Sequence, residues 1–589
     1  MKKVKLKILL AKGQEINIEE EPERTVFEIL KNRGIEFNTP CGGHGICGKC
    51  LIQCFPESSF SKVKEDEFRL LGEEKLREGF RLACQARVLS DCSISFPEVQ
   101  EYSKIENLKK KEREPVNPLV KRKSLEIKND LSVDVLDEIV ENLGENVEAT
   151  AIDFPVDIQD IPGKVQIVHS NGKIMKIYSD DGANGIGLAV DVGTTTVVTV
   201  LVDLATGKVL DSIAFMNPQR RFGHDVISRI NHTCKKKEGL VELHDVIVND
   251  INTALGKMLE RGKHNLKQLD QIVIAGNTTM SHIIAKLPVC TIAIAPYRPF
   301  SNLTISTNAK RLGFYASEHT GLYIFPSLAA FIGGDIVSGI IATNLLRNKG
   351  ELFIDLGTNG EMVLNTGEEL LCCSTAAGPA FEGANIECGV GNIAGAIEEI
   401  NFEAGNIKIK TIAQEKTKGI CGSGLISLIS HLLEKKIINP SGRFYNSDRI
   451  PPEYKDRFES PKKRFWLTDS VYISQKDIRN FQLAKSAVRT GIDVLKKNSE
   501  LDKLKAVRIA GGFGAHLSIS ALFRTGTLPP DLDCPVILEG NTAISGSVDL
   551  LLNQEHLKDI EKIRDSSRYI ELSALKEFQE LFIENLSFK

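Results

Sequence analysis

The chain has 589 residues, 42% apolar and 26% charged. That balance excludes collagen, low-complexity disorder and a disulfide mini-scaffold, and leaves room for about four folding units of roughly 150 residues. The net charge of −4 creates no basic field for nucleic acid or anionic lipid. No apolar run approaches the roughly 20 residues that span a bilayer. The start offers only the apolar run Ile8 to Ala11, short of the core of a secretory leader, about 7–15 residues. A soluble, cytoplasmic protein without membrane or nucleic-acid partners is expected. Thirteen cysteines are an odd number for a disulfide framework, which a reducing compartment would not keep.

Residues 1–98 read as a small, mostly β unit. A first strand from Lys3 to Leu10 turns Val4, Leu6 and Ile8 inward, and a second runs from Glu15 to Glu19 after a turn at Lys12-Gly13-Gln14. Val26, Ile29 and Leu30 have helical spacing between Thr25 and Asn32, with Gly34 as the stop. Residues 99–124 are polar, and their basic triplets Lys109–Lys111 and Lys121–Lys123 are broken by acids and lack aromatics. They read as a solvated linker. Residues 125–184 form a second small unit, with a helix through Val133–Leu143 and a strand pair, Val165–Val168 and Lys173–Tyr178, around Asn171-Gly172.

Residues 185–589 alternate strands and helices, the pattern of a large α/β region. It contains a repeat: Leu188-Ala-Val-Asp-Val-Gly-Thr194 matches Leu352-Phe-Ile-Asp-Leu-Gly-Thr358 at an offset of 164. Each is an apolar strand ending in Asp, a Gly-Thr turn and a returning strand, so two similar halves are expected. A charged, proline-bearing stretch near Pro440–Pro461 reads as a surface insertion.

Chemistry is concentrated first at Pro40-Cys41-Gly-Gly-His-Gly-Ile-Cys47-Gly-Lys-Cys50, with Leu82-Ala-Cys84-Gln85 further on. The spacing is C-x5-C-x2-C, with the fourth cysteine 34 positions later. Four thiolates bind zinc or a [2Fe–2S] cluster. A structural zinc site usually pairs two C-x2-C knuckles, and only one is present. Gly42, Gly43, Gly45 and Gly48 instead let the backbone wrap tightly and offer N–H groups to cluster sulfurs. Cys41, Cys47, Cys50 and Cys84 therefore read as ligands of a [2Fe–2S] cluster. The unit resembles plant- and adrenodoxin-type ferredoxins, with the spacing of the latter, which implies a β-grasp fold. His44 reads as a solvent-facing or hydrogen-bonding residue, and Cys54 and Cys92, outside the pattern, as small buried residues.

The second concentration is the repeated turn. A tip of Asp-x-Gly-Thr suits a phosphate: glycine admits the backbone, amides and hydroxyls donate to phosphate oxygens, and the carboxylate serves Mg²⁺. Asp191, Gly193, Thr194, Thr195 and Thr196 form the first tip. Asp355, Gly357, Thr358, Asn359, Gly360 and Glu361 form the second. Val507-Arg-Ile-Ala-Gly-Gly-Phe-Gly514 runs a strand into a turn where Gly511 and Gly512 admit a nucleoside. It is not a dinucleotide fingerprint, and no Walker A motif is present. Ile272–Met280 is a further strand-to-turn segment that could face the site. Cys421-Gly422-Ser423-Gly424 suits either a phosphate- or ribose-facing turn or a tight helix start used for packing.

This ordered set resembles the actin, sugar kinase and heat-shock chaperone ATPase superfamily, a duplicated ribonuclease H-like fold. The resemblance implies a connecting helix carrying an acidic or amide residue near the γ-phosphate, matched here by Gly333-Gly334-Asp335, with Asp335 placing the attacking water. The whole chain, in the order ferredoxin domain, linker, middle domain and ATPase domain, resembles the ATP-dependent reductive activators of corrinoid proteins. Ala189–Thr195, Asn217–Asp225, Ile274–Met280, Phe353–Glu361 and Ala377–Gly383 look like segments of that family. The resemblance implies ATP-driven electron transfer from the cluster to a partner's Co(II) corrinoid, restoring the Co(I) form that accepts methyl groups. It also implies a low-potential electron donor and a homodimer. Beyond residue 421 the only cysteine is Cys534, which excludes the relatives' C-terminal pair of four-iron clusters. The linker composition suggests that the ferredoxin domain swings between donor and corrinoid. Two other classes stay open: a redox-regulated small-molecule kinase, and an iron–sulfur sensor that binds nucleotide without turnover. A hydroxyacyl-CoA dehydratase activator would lack the ferredoxin domain and need Cys388 or Cys421 as bridging ligands.

Overall fold

Alternation of Val4, Leu6 and Ile8 with lysines makes the first strand one-sided: these three are buried while Lys5 is exposed. The computed structural model describes residues 3–9, 15–33, 35, 50–96, 116–127, 134–143, 156–158, 163–170, 172–180, 182–223, 225–403, 405–512 and 517–588. The chain divides into two units, residues 1–101 with 218–232, and 102–217 with 233–589.

In the first unit β1 (Val4–Leu9) and β2 (Glu15–Glu20) form an antiparallel hairpin. Helix α1 (Val26–Asn32) starts at a capping box: Glu28 N donates to Thr25 Oγ1 at 3.2 Å and Thr25 N to Glu28 Oε2 at 2.9 Å. Then come β3 (Leu51–Phe55), α2 (Glu65–Arg77), β4 (Phe80–Leu82) and β5 (Cys92–Ser95), giving a five-stranded sheet of order β2-β1-β5-β3-β4. Val26, Ile29 and Leu30 of α1 pack on Leu6, Ile8 and Ile52 of the sheet. Gly34 lies outside the described residues.

The second unit opens with β6 (Lys121–Ile127), which crosses the boundary placed after residue 124, followed by α3 (Val135–Leu143), β7 (Val156–Asp157), β8 (Gly163–Ser170) and β9 (Lys173–Ser179). Their sheet has order β6-β8-β9-β7. One face packs Val165 and Ile167 against Ile139 and Leu143 of α3. The other puts Val168 and Tyr178 into one buried cluster with Ala189 and Val200. Arg122 makes a two-pronged buried ion pair with Asp270, Nε to Oδ2 at 2.6 Å and Nη2 to Oδ1 at 2.8 Å. The small sheet therefore shares a core with the larger region. Residues 97–115, most of the stretch read as linker, lie outside the described residues.

The first half continues through β10 (Ile186–Val192), β11 (Thr196–Asp203), β12 (Val209–Met216), α4 (Val226–Lys235), α5 (Gly239–Gly262), β13 (Leu269–Gly276), α6 (Thr278–Ile284), β14 (Ile305–Asn308), β15 (Gly321–Ile324) and α7 (Gly334–Thr343). The second half has β16 (Glu351–Leu356), β17 (Gly360–Asn365), β18 (Leu370–Thr375), β19 (Ala396–Glu403), β20 (Asn406–Thr411), β21 (Gly419–Ile420) and α8 (Gly422–Glu434). It goes on through β22 (Phe458–Glu459), β23 (Arg464–Trp466), β24 (Tyr472–Ser474), α9 (Gln475–Asn498), β25 (Ala506–Ala510), α10 (Ile519–Arg524), β26 (Val536–Gly540) and α11 (Thr542–Leu552). It ends with α12 (His556–Ser566), β27 (Ser567–Tyr569) and α13 (Phe578–Glu584).

The two main sheets run β12-β11-β10-β13-β15-β14 and β26-β25-β16-β17-β18-β27. Read from the third strand of each half, hairpin, first strand and the next two parallel strands fall in the same order, so the repeat in sequence is a duplication of topology. Apart from Glu351 and Asp355, β16 is apolar because both its faces are covered: Leu352, Ile354 and Leu356 enter one core, Phe353 the other. Helices α7 and α11 touch closely because a Cβ on Gly546 would overlap the Ser338 carbonyl oxygen, and Ser338 Oγ donates to Ala543 O at 2.7 Å.

Two expectations are corrected here. Cys234 and Cys290 are disulfide-bonded, at a Cα separation of 5.8 Å, because the end of α4 runs beside the turn at Cys290–Ala293. The stretch read as a surface insertion is only partly one: Ile450 and Tyr454 are buried in the second-half core, with Tyr454 edge-on to Phe402. Among the described residues no helix is long and apolar enough to cross a membrane.

Candidate functional site

The redox site is built by strand register. Leu51 of β3 pairs with Leu82 of β4, and Ala83 N donates to Cys50 O at 2.8 Å. Cys50 and Cys84, 34 residues apart, thus leave neighbouring strand ends with their Sγ atoms 3.3 Å apart. β4 is itself fastened from below: buried Arg81 grips buried Glu67 of α2 through Nε (3.0 Å) and Nη2 (2.9 Å), and Leu82 N donates to the same carboxylate at 2.7 Å. Two converging thiols fit a thiolate-ligated cluster. Cys41, Cys47 and His44 lie outside the described residues. Cys54 and Cys92 are buried in the domain core. Burial pushes the Cys92 thiol up to about 12 and Cys54 higher still, so both are inert packing residues.

The nucleotide site is built by the duplication. Asp191 and Asp355 are each the last residue but one of the first strand of their half. Asp191 pairs with Ala275 of β13, and Asp355 with Ala510 of β25. In each half, therefore, an Asp at one strand end lies beside an Ala-Gly turn at the next. The first tip is held by Asn217, fully buried, whose Nδ2 donates to Gly193 O at 2.8 Å while its N donates to Thr195 O at 2.9 Å. A Cβ on Gly193 would lie 2.7 Å from Thr196 O, so a side chain there would clash with the tip's own backbone. Gly511 has φ +124° and a Cβ there would overlap Leu356 O, a conformation and proximity that only glycine tolerates. Gly512 faces open space, and its carbonyl accepts from Asn392 Nδ2.

Asp335, in the first turn of α7, joins Asp191 and Asp355 in one acidic cluster. Burial, then the charge of Asp191, raises Asp335 to about 7. Burial, then Asp335, Asp191 and Glu382, raises Asp355 to about 8. Burial raises Asp191 to about 6, opposed by the hydrogen bond from Asn541 Nδ2 to Asp191 Oδ2 at 2.8 Å. Glu361, at the start of β17, is raised well above its ordinary value by burial and by Asp335 and Asp355. Clustered carboxylates that disfavour each other's ionisation suit a bound cation. Among the described residues no three His, Cys, Asp or Glu side chains are arranged to hold a metal ion directly.

The hydroxyls are also engaged. Asn277 Nδ2 donates to Thr194 Oγ1 at 3.1 Å. Thr195 Oγ1 donates to Glu382 Oε2 at 3.1 Å, and Thr358 Oγ1 to Glu382 Oε1 at 2.8 Å. Gly422 and Gly424 open α8 and are buried; a Cβ on Gly424 would overlap Ile397 O of β19. Cys421 beside it is buried, with Sγ donating to Ile397 O at 3.1 Å.

Sequence reasoning missed Asn541 and Glu382 as site residues. Asn541 had a signal: Gly-Asn-Thr at 276–278 recurs at 540–542, each time between an apolar strand and a helix. Both asparagines cap their helix through Oδ1 and aim Nδ2 at the first tip. Glu382 had a weaker one: it lies in the segment Ala377–Gly383 singled out above, and closes a short turn (Pro379–Glu382) that follows β18 as the turn Pro218–Arg221 follows β12.

Three family models match the chain. Residues 10–89 match a 2Fe-2S iron-sulfur cluster binding domain, 186–348 the RACo middle region, and 349–589 the C-terminal domain of RACo, the ASKHA domain. The corrinoid activation enzyme RamQ of Eubacterium limosum is 29% identical over 98% of both chains. A [Co(II) methylated amine-specific corrinoid protein] reductase of Methanosarcina barkeri is 23% identical over 68% of this chain and 77% of its own. The solved structure of a reductive activator for corrinoid, iron-sulfur protein superposes with a TM-score of 0.73 at 29% identity, covering 99% of this chain and 98% of that one. With a two-iron domain followed by both RACo regions, this chain belongs to the family of reductive activators of corrinoid proteins.

Proposed function

We propose that this protein uses ATP hydrolysis to move one electron from its [2Fe–2S] cluster to the Co(II) corrinoid of a partner protein, returning the cobalt to the Co(I) state that accepts a methyl group. The observation that carries the reading is the convergence of Asp191, Asp335 and Asp355, from two equivalent halves, into one acidic cluster beneath two glycine-threonine tips. It occurs on a chain whose N-terminal sheet brings Cys50 and Cys84 to 3.3 Å.

When bound, the cluster supplies a one-electron store. In this proposal Cys50 and Cys84 hold it together with Cys41 and Cys47. Asp191 and Asp355 orient a hydrated Mg²⁺, and backbone amides at Gly193 and Gly357 with the hydroxyls of Thr194, Thr195 and Thr358 and the amide of Asn359 take phosphate oxygens. Gly511 and Gly512 leave room for the nucleoside, and Asp335 accepts a proton from the attacking water. Hydrolysis yields on the order of 10 kcal/mol, which at about 1.4 kcal/mol per tenfold offsets several hundred millivolts for one electron. The chain's part is to couple closure of the two halves to its affinity for the partner. A low-potential reductant refills the cluster, and the protein works in the cytoplasm as a homodimer.

The test is anaerobic absorption spectroscopy of a Co(II) corrinoid protein with this protein, Mg²⁺ and reductant. Co(I) is expected only with ATP and is expected to be lost in Cys84→Ala and in Asp355→Asn. Co(I) formation that proceeds equally without ATP would overturn the coupling. No Co(I) with several corrinoid partners, despite intact cluster and bound ATP, would overturn the activation.

A further inference from the structure

The two oxygens of Glu382 accept from Thr195 of the first tip and Thr358 of the second, at 3.1 and 2.8 Å. One carboxylate thereby ties together the turns of two halves that lie far apart in sequence. Its Oε1 sits 3.6 Å from where a Cβ on Gly357 would project, over the glycine that lets a ligand approach. A threonine hydroxyl has one proton to donate. A phosphate oxygen and Glu382 are both acceptors, so each hydroxyl serves one or the other. The same loop continues from Pro379–Glu382 to Asn392, whose Nδ2 donates to Gly512 O at the nucleoside turn. One segment thus touches both places where the nucleotide is proposed to bind.

We infer that Glu382 is a positioning residue that occupies the phosphate donors of the nucleotide-free protein and must release Thr195 and Thr358 before a triphosphate can bind. Its carboxylate stands in for a phosphate: an anionic acceptor, held by the same hydroxyls, over the same glycine. Release frees the loop that reaches Gly512, so the tips and the nucleoside turn change together. The inference rests on the nucleotide reading given above.

The experiment is calorimetric titration of the full-length, cluster-containing protein with Mg²⁺ and a non-hydrolysable ATP analogue, and separately with AMP, which lacks the outer phosphates. Removing a competing charged acceptor is expected to tighten analogue binding about tenfold in Glu382→Ala, roughly the value of one hydrogen bond to a charged group. AMP affinity is expected to stay unchanged. Glu382→Gln keeps the shape and loses the charge and one acceptor, and is expected to tighten analogue binding about threefold, the worth of an ordinary neutral hydrogen bond. A merely structural residue would weaken both ligands or neither. Analogue affinity that is unchanged or lower in both variants overturns the inference. If instead the double variant Thr195→Val with Thr358→Val binds the analogue as well as wild type does, the nucleotide reading itself falls.

Discussion

Asn541 donates to Asp191 across 350 positions of sequence, Nδ2 to Oδ2 at 2.8 Å, and so joins the start of α11 in the second half to the end of β10 in the first. The same side chain caps α11 by accepting from Ile544 N at 3.0 Å. The two roles separate chemically, because aspartate caps a helix as well as asparagine does but cannot donate. Asn541→Asp is therefore expected to keep α11 and to set a new negative charge against Asp191. The nucleotide-free protein should lose about 1.5–3 kcal/mol, the worth of a hydrogen bond to a charged group. Mg²⁺ with ATP should recover most of that loss. Thermal unfolding with and without Mg²⁺–ATP measures both, and equal loss in the two conditions would refute the assignment.

The acidic cluster makes a prediction about pH. Asp191, Asp335 and Asp355 are raised from an ordinary 3.8 to about 6, 7 and 8. These carboxyls hold protons when folded that the unfolded chain has already released. Stability from this source is therefore greatest below about pH 4 and falls as pH rises from there to 8, most steeply up to pH 6 while all three hold their protons, by up to about 1.4 kcal/mol per pH unit for each proton. The three titrate as a coupled set. Mg²⁺ replaces the protons and should flatten the slope. The chain has one tryptophan, Trp466 on strand β23 of the second half, so urea midpoints followed by its fluorescence report the unfolding of that half. Midpoints at pH 6 and 8.5 should differ in EDTA and converge in Mg²⁺; a rise in stability toward pH 8.5 in EDTA would contradict the cluster.

At the redox site the cysteines sort by burial and by partner. Cys84→Ser is expected to abolish the visible absorption and electron paramagnetic resonance of the two-iron cluster while nucleotide binding in the other unit persists. Cys54→Ala removes a buried sulfur from the core and is expected to cost about 1 kcal/mol through the cavity left behind, with the cluster spectrum intact. Loss of the spectrum in both would mean that Cys54 is a ligand.

Much of this was legible in the chain because duplication leaves a period. The match between Leu188–Thr194 and Leu352–Thr358 located both hairpins, and the strand orders around β10 and β16 repeat accordingly. The pairing of Cys50 with Cys84 could be read from spacing, since ferredoxin-like loops bring back one distant thiol. What escaped notice was either non-periodic or decided by tertiary contact. Glu382 closes a 3₁₀ turn whose twin after β12, Pro218–Arg221, ends in a basic residue, so the repeat carries no matching acid. Gly424 looks like a phosphate-loop glycine, yet β19 presses on it. Ile450 and Tyr454 sit among charges and prolines, and their burial is set by Phe402 and its neighbours rather than by local pattern. β6 begins in the basic triplet Lys121–Lys123 because Arg122 has a buried carboxylate to meet.

That last contact defines how the small sheet is fixed. The side chains of Arg122 and Asp270 are 8% and 0% exposed. His319 Nε2 lies 3.2 Å from Asp270 Oδ1, while Arg122 Nη1 reaches Gln166 Oε1 at 2.9 Å and the Tyr178 hydroxyl. Removing one member of a buried ion pair strands the other charge, typically at about 3–5 kcal/mol, whereas replacing both is far milder. Arg122→Met should therefore loosen the small sheet strongly, and adding Asp270→Asn should restore part of the loss. Hydrogen exchange read by mass spectrometry localises the effect. Peptides from β6, β8 and β9 should lose protection in Arg122→Met while those from β16, β17 and β18, buried in the second-half cores, keep theirs. Uniform loss across both sets would mean that Arg122 supports the whole unit rather than the attachment of one sheet, and unchanged exchange in β6 and β8 would mean that apolar contacts through Val168 and Tyr178 hold it alone.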